Sequence, residues 1–275
     1  ERMDAVVESE RTQAHLNDFP RLNDLEHIAG LNISPMAKIA HVVDLSNRFD
    51  EKFWSEWLAI APNLEGLKQR FSNIYNQYIL AMEDEEQANI ARIEATAERA
   101  RFIDCAGSGA LAAYGRVDGL VDQLALKSGA SVVMVGCGQL PVTALHLLDK
   151  SPAGQVVCLD ICPKAIASVE RLKLRFGYSQ LHTQLSDGAD FDYADADVVY
   201  IANMVRPKLA VINAIVNSAF HYPSVVVREP YSLGHLWAES LESTLPNLLS
   251  IKSIGKGSRY LSRDVYLTWQ QPVKS

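Results

Sequence analysis

The residues best placed to do chemistry are Gly136, Cys137 and Gly138, together with Asp160. The three-residue turn interrupts SVVMVGCGQLPVTALHLLD between an apolar β-branched run and a helical one, and Asp160 closes the next apolar run, QVVCLD. At a strand-to-helix turn, two residues without side chains let the backbone approach a ligand. A carboxylate about twenty positions further on can accept both hydrogens of a ribose diol. The third glycine of a dinucleotide fingerprint is missing: Leu140 is followed by Pro141, which suits a helix start but removes one N–H from a phosphate cradle. The pattern therefore disfavours a pyrophosphate and suits a nucleoside ligand without phosphates, of which S-adenosylmethionine is the commonest. The plainer alternative is that the glycines only make a tight βα connection.

Such a turn needs a sheet to hold it. From Lys127-Ser128-Gly129 onward the chain alternates short apolar runs with amphipathic stretches. The pattern predicts strands at Val132–Gly136, Val156–Ile161, Leu181–Leu185, Val198–Ala202 and Val225–Glu229. Helices are expected at Pro141–Lys150, Pro163–Phe176, Pro207–Ala219 and Ser232–Thr244, with final strands at Leu249–Ile254 and Asp264–Trp269. This is the order of an α/β, class I methyltransferase-like Rossmann sheet of seven strands, the last antiparallel.

Ligands of such sheets bind beyond the carboxyl ends of the strands, which selects further residues. Asp160-Ile161 follow the second strand, and Asp160 is either the ribose acceptor or the cap of the next helix. Ser186-Asp187 follow the third; Asp187 could accept from an adenine amine or serve as ordinary turn chemistry. Asn203 follows the fourth, as a cofactor contact or a polar helix-entry residue. Arg228 ends the apolar fifth strand and must meet a carboxylate, from a substrate, from Glu229 or from a helix; Tyr231 follows it. The fourth strand lacks the Asn/Asp-Pro-Pro-aromatic sequence with which amino-methylating enzymes hold a base.

Before the sheet, apolar residues recur at three and four, as in Leu64, Leu67, Phe71, Ile74, Tyr75, Tyr78, Ile79 and Met82. They predict a helical domain over residues 1–128, with Pro35 and Asn63 marking helix starts and a helix over Leu111–Leu126, ahead of a Rossmann-like domain over 129–275. The helical domain is left to supply an acceptor site and lid. A formal net charge of −7, with no long Lys/Arg cluster, excludes the electrostatic footprint of a nucleic-acid binder. Cys105, Cys137, Cys158 and Cys162 lack metal-ligand spacing and read as reduced, buried thiols, so no metal is expected. ERMDAVVESE has no leader character and no apolar stretch is long enough for a membrane, so a soluble, cytoplasmic protein is expected; the apolar helical domain could cap the site or form the interface of a homodimer.

In the helical part, Glu83-Asp84-Glu85-Glu86 ends the apolar stripe. Four acids in a row are usually a solvated face. Glu83, however, follows Tyr75 and Ile79 at eight and four residues and so lies near the buried side. Tyr114 sits among Leu111, Val117 and Leu124 and could be plain core.

Taken together these segments resemble the nicotianamine synthases, and more closely their bacterial relatives in staphylopine- and pseudopaline-type opine-metallophore biosynthesis. V-G-C-G-Q-L-P-V-T-A resembles their G-S-G-P-L-P-L-T-S turn, including its second proline; Met82-Glu83-Asp84-Glu85 resembles a G-E-A-E helix, and Ala113-Tyr114 the Asn-Tyr that ends an aromatic-rich segment. The resemblance implies transfer of the 3-amino-3-carboxypropyl (aminobutanoyl) group of S-adenosylmethionine to the amine of histidine, with release of methylthioadenosine. It also implies Glu83 as base, with Glu85 as the alternative, and Tyr114 as a positioning group, with Arg228 and Tyr231 as weaker substrate contacts. An ordinary small-molecule methyltransferase, a nicotianamine synthase proper and a non-catalytic adenosylmethionine-binding module share the same sheet.

Overall fold

The structure is a computed structural model that describes residues 20–94, 101–241, 245–258 and 260–270. The chain divides into two compact units. The first holds the described residues up to Ile79 with Pro230–Ala238 and Ser258–Ser262; the second holds Leu80–Glu229, Glu239–Gly257 and Arg263 onward. The boundary between these two units falls within a long helix. Its physical reason is burial: Ala110, Tyr114, Val117 and Leu120 share one apolar core with Val132, Met134 and Val156 of the sheet, so these helices belong with the strands.

In the first unit, α1 (Pro20–Gly30), α2 (Pro35–Ser46) and α3 (Glu51–Ile60) precede the 31-residue α4 (Leu64–Glu94), which continues into the second unit. Pro35 does open α2, with Ser34 capping it by accepting from Ala37 N–H. Asn63 immediately precedes α4, as the sequence suggested, in a left-handed conformation with φ 55°, and its carbonyl accepts from Leu67 N–H. Trp54 donates its indole N–H to the Ser46 carbonyl, and Tyr75 stacks on Trp237 at 4.9 Å. The expected helix at Ser232–Thr244 is a single 3₁₀ turn, Ser232–Leu236; residues 242–244 lie outside the described residues.

In the second unit, α5 (Phe102–Cys105), α6 (Ser108–Arg116) and α7 (Asp118–Leu124) lead into β1 (Ala130–Val135), α8 (Val142–Lys150), β2 (Ala153–Asp160), α9 (Pro163–Phe176) and β3 (Leu181–Leu185). β4 (Val198–Ile201), α10 (Lys208–Ser218), β5 (Ser224–Pro230), β6 (Leu249–Ile254) and β7 (Ser262–Trp269) complete it. The sequence suggested one helix over Leu111–Leu126; it breaks at Val117 into α6 and α7. The strand order is β3-β2-β1-β4-β5-β7-β6, with the first five parallel and β6 antiparallel to β7. Helices cover both faces, so the central strands are buried on both. Val132 and Met134 point into one core and Val133 and Val135 into the other, the alternation a pleated strand requires. The order reverses direction between β1 and β4, and the crevice beyond their carboxyl ends is where an open sheet offers a site. No helix among the described residues is long and apolar enough to cross a membrane.

Candidate functional site

At the end of β1 the chain turns through Gly136 and Gly138, with φ of 77° and 64°. Both positions require glycine twice over. A Cβ on Gly136 would lie 2.6 Å from Val205 Cγ2, and one on Gly138 would lie 2.5 Å from Glu83 Oε1. The Gly136 and Cys137 N–H groups donate to the Leu159 carbonyl, and Gly138 N–H donates to Asp160 Oδ2 at 2.9 Å. Asp160 Oδ1 accepts from Cys162 N–H at 2.9 Å. Asp160 therefore braces the turn and the start of α9 together, and each oxygen keeps a lone pair for a further donor. Of the two readings of Asp160 from the sequence, its support of the entry to α9 is seen in the bond from Cys162 N–H.

The acidic end of α4 lies against this turn. Leu67, Phe71, Tyr75, Tyr78, Glu83, Glu86 and Ile90 are all buried on that helix, so two carboxylates occupy positions where its buried stripe would otherwise be apolar. Glu86 accepts from Gly107 N–H, capping α6. Glu83, 8% exposed, accepts from the N–H groups of Gln139, at 3.1 Å, and Leu140. Burial raises its pKa to about 7; those hydrogen bonds oppose the rise and the nearby Asp160 charge adds to it. Its pKa is thus moved toward neutrality, which suits a group that takes up or gives back a proton. The same geometry settles what the turn can hold. Its N–H groups after Cys137 are taken by Asp160 and Glu83, so the cradle that would bind a pyrophosphate is filled by the protein's own carboxylates.

Asn203, at the end of β4 and 8% exposed, has neither its amide nitrogen nor its oxygen hydrogen-bonded. A buried amide left unpaired costs about 1–3 kcal/mol, and Asn203 lies beyond β4, at the point where the strand order reverses. Ile161, beside Asp160, is 73% exposed for an apolar residue. Pro141 precedes the first turn of α8, and Leu140 is buried. Asp187 accepts from Ala189 N–H and caps a 3₁₀ turn, while Ser186 donates to the Asp187 carbonyl. Turn chemistry thus accounts for Oδ1 of Asp187. Unpartnered polar atoms, glycines at positive φ and a carboxylate with spare lone pairs fit a nucleoside ligand without phosphates.

The remaining expectations are corrected. Glu85 is exposed, because two residues from Glu83 is about 200° around the helix. Tyr114 donates to Asp149 Oδ2 at 2.6 Å, Tyr178 donates to the same oxygen, and His146 packs edge-on at 4.6 Å. Asp149 is in the last turn of α8 and the glycine turn precedes its first, about 12 Å along the axis. Tyr114 therefore lies at the wrong end of α8 to meet Glu83, and burial beside Asp149 raises its pKa, so it stays a phenol. Tyr114→Phe is expected to keep turnover within about twofold and to cost about 1 kcal/mol of stability, read from denaturant unfolding; a loss of turnover with unchanged stability would return Tyr114 to the site.

Arg228 meets Asp264 at 2.9 Å, and Tyr200 donates to the same oxygen, so its carboxylate comes from β7 and not from a substrate or Glu229. Tyr231 belongs to the first unit, where its hydroxyl donates to the Ser258 carbonyl. Cys105, Cys137 and Cys158 are buried as expected, but Cys162, which precedes α9, is exposed. The Cys158 thiol and burial push the Cys137 thiol far up, so it is no nucleophile. Sequence reasoning missed Gln139 and Lys208, both buried polar residues beside strand ends; only their placement between apolar neighbours marked them.

The second unit is therefore a Rossmann-like α/β sheet of the adenosylmethionine-methyltransferase type, with a helix-borne carboxylate set into its glycine turn. No family model and no curated protein matches the chain. Among solved structures it is similar to MtNAS, a nicotianamine synthase. A glutamate-to-glutamine variant of MtNAS in complex with S-adenosylmethionine superposes with a TM-score of 0.72 at 14% identity, covering 90% of this chain and 97% of that one. MtNAS in complex with MTA and tNA gives 0.74 at 13% identity, covering 91% and 98%. The chain thus has a nicotianamine synthase-like fold.

Proposed function

We propose that this protein is an S-adenosylmethionine-dependent transferase that moves the 3-amino-3-carboxypropyl (aminobutanoyl) group to the amine of histidine, releasing methylthioadenosine, in the making of an opine-type metallophore. The observation that carries the proposal is Glu83, a buried carboxylate titrating at about 7 on the cofactor turn itself. A methyl transfer to a proton-bearing acceptor would need such a base too, so Glu83 supports an acceptor that loses a proton, and the choice of the aminobutanoyl carbon rests on the sequence resemblance. An α-amine arrives as ammonium and must lose a proton before it can attack. The choice of histidine and of a single transfer rests on the sequence resemblance.

Bound S-adenosylmethionine would supply a sulfonium that activates the carbon under attack. Asp160 would accept from the ribose, Gly136 and Gly138 would admit the ligand to the backbone, and Asn203 would use both amide atoms on it. Glu83 attracts the ammonium while ionised, takes its proton, and leaves a lone pair free to form the new C–N bond. The C–S bond breaks as that bond forms, and its electron pair stays on sulfur. Incubation with S-adenosylmethionine and histidine, followed by mass analysis, tests the reading. Methylthioadenosine with a histidine adduct carrying one aminobutanoyl unit supports it; S-adenosylhomocysteine in its place would establish methylation instead. Several units would indicate a nicotianamine-type synthase.

Asn203 offers a separate check. Asn203→Leu removes two unpaired buried polar atoms, so the free protein is expected to gain about 1–2 kcal/mol of stability while affinity for S-adenosylmethionine falls about tenfold. Calorimetric titration alongside thermal unfolding reads both. A variant that is less stable and binds normally would show that Asn203 serves the fold and not the ligand.

A further inference from the structure

Gln139 is 3% exposed and uses every hydrogen-bonding group it has. Its N–H donates to Glu83 Oε1 at 3.1 Å, and its carbonyl accepts from Gln87 Nε2 at 3.0 Å. Its side-chain oxygen accepts from Ser168 Oγ on α9 at 3.2 Å. Its side-chain nitrogen donates to Asp84 Oδ1 at 3.3 Å, and the amide also donates to the Glu83 carboxylate. Asp84 is in turn paired with Lys164 of α9 at 2.9 Å, which holds its carboxyl below the usual carboxylate range. One buried side chain thus ties α4 and α9 to the glycine turn. A fully satisfied buried polar network fixes geometry where an apolar residue would only fill space.

We propose that Gln139 is a positioning residue that holds the Glu83 carboxylate at the mouth of the cofactor turn and favours its ionised, proton-accepting form. Six groups surround Glu83. On its own helix, Asp84 is neutralised by Lys164, and Glu86 is turned to Gly107. From the turn come the N–H groups of Gln139 and Leu140 together with the Gln139 amide, all favouring the anion. From β2 comes Asp160, which opposes it. Of the side chains among them, only the Gln139 amide donates to Glu83 while carrying no charge, so it stabilises the anion at every pH.

The consequence for turnover rests on the reaction proposed above; the effect on Glu83 itself does not. The test is the titration midpoint of the Glu83 side-chain carbon, followed by NMR in protein carrying ¹³C-glutamate and assigned by its loss in Glu83→Gln. Gln139→Leu keeps the volume and removes the amide, and is expected to raise the midpoint by about 0.5–1 unit. Gln139→Glu adds a like charge and should raise it further; Gln139→Met repeats the first arm should the leucine variant fold poorly. An unchanged midpoint in the folded variants, or one that falls, overturns the proposal, whereas a purely structural role would change stability without this rank order. The acid limb of kcat/KM for methylthioadenosine release should move with the midpoint. If the midpoint moves but the unsubstituted protein releases no methylthioadenosine, the transfer reaction is wrong and the positioning role stands. Normal release with an unmoved midpoint gives the converse.

Discussion

If the proposed transfer is right, Glu83→Gln is expected to lower methylthioadenosine release by about 10²–10⁴-fold, the range lost when a general base is removed, and to leave the fold intact. The neutral amide keeps the shape and can still accept from the Gln139 and Leu140 N–H groups, so the turn holds its form. What is lost is the proton acceptor and the charge that draws the ammonium in. The unsubstituted protein should show kcat/KM rising with pH up to about 7 as Glu83 ionises, and the variant should lose that limb. Stability moves the opposite way. Because the folded pKa of about 7 lies above the ordinary 4.5, the folded protein binds the proton more tightly than the unfolded chain. That contribution is complete below pH about 4.5 and is lost as pH rises through 7. At higher pH the variant, which does not titrate, should be the more stable by up to about 3 kcal/mol. Denaturant unfolding at several pH values, run beside the activity profile, measures both. Near-normal turnover would remove Glu83 from the mechanism, whereas a variant less stable at pH 8 would show that its charge is held by more than these hydrogen bonds.

The parts of this site that were legible in sequence are those set by local backbone chemistry. Gly136 and Gly138 announce positive φ, the β-branched runs around them announce buried parallel strands, and Asp160 falls where the second strand must end. Helical spacing likewise placed Glu83 on the buried side of α4, although the acidic block around it looked solvated. The same spacing failed for Tyr114, because it says that a residue is buried but not at which end of α8 it packs. Arg228 was read correctly as needing a carboxylate, yet the partner came from β7, 36 residues later, a pairing decided by sheet order and not by proximity in the chain. The compact units likewise do not follow the change of periodicity. Change of periodicity at Gly129 marks where strands begin, whereas the units are defined by which helices share the sheet's core, and α5–α7 do. Asn203 could be shortlisted by position, but only coordinates reveal that both its polar atoms are unpaired.

Lys208→Met should destabilise the protein by about 3–5 kcal/mol, the cost of breaking a buried ion pair from one side. Lys208 opens α10 with its side chain fully buried, donating to Glu229 Oε1 at 3.0 Å and to the Glu239 carbonyl at 2.6 Å. Methionine fills the same space but leaves Glu229 with only the Ser240 hydroxyl and the Leu241 N–H on its other oxygen. Two donors on one oxygen do not replace an ammonium on the other, so the carboxylate remains buried and undercompensated. Removing both charges should behave differently: Lys208→Met with Glu229→Leu is expected to recover most of the loss, because a well-packed apolar pair often matches a buried ion pair. The cycle of single and double variants, read by denaturant unfolding, therefore separates the cost of an orphaned charge from the worth of the pair. The consequence for the site follows from the chain path. Lys208 lies five residues after Asn203 and Glu229 near the end of β5, so their pairing fixes the β4–α10 segment beside the crevice. Affinity for S-adenosylmethionine should accordingly fall in the single Lys208 variant and return in the double one. Loss of affinity in both would mean that the Lys208 charge acts on the ligand, and not through the loop it anchors.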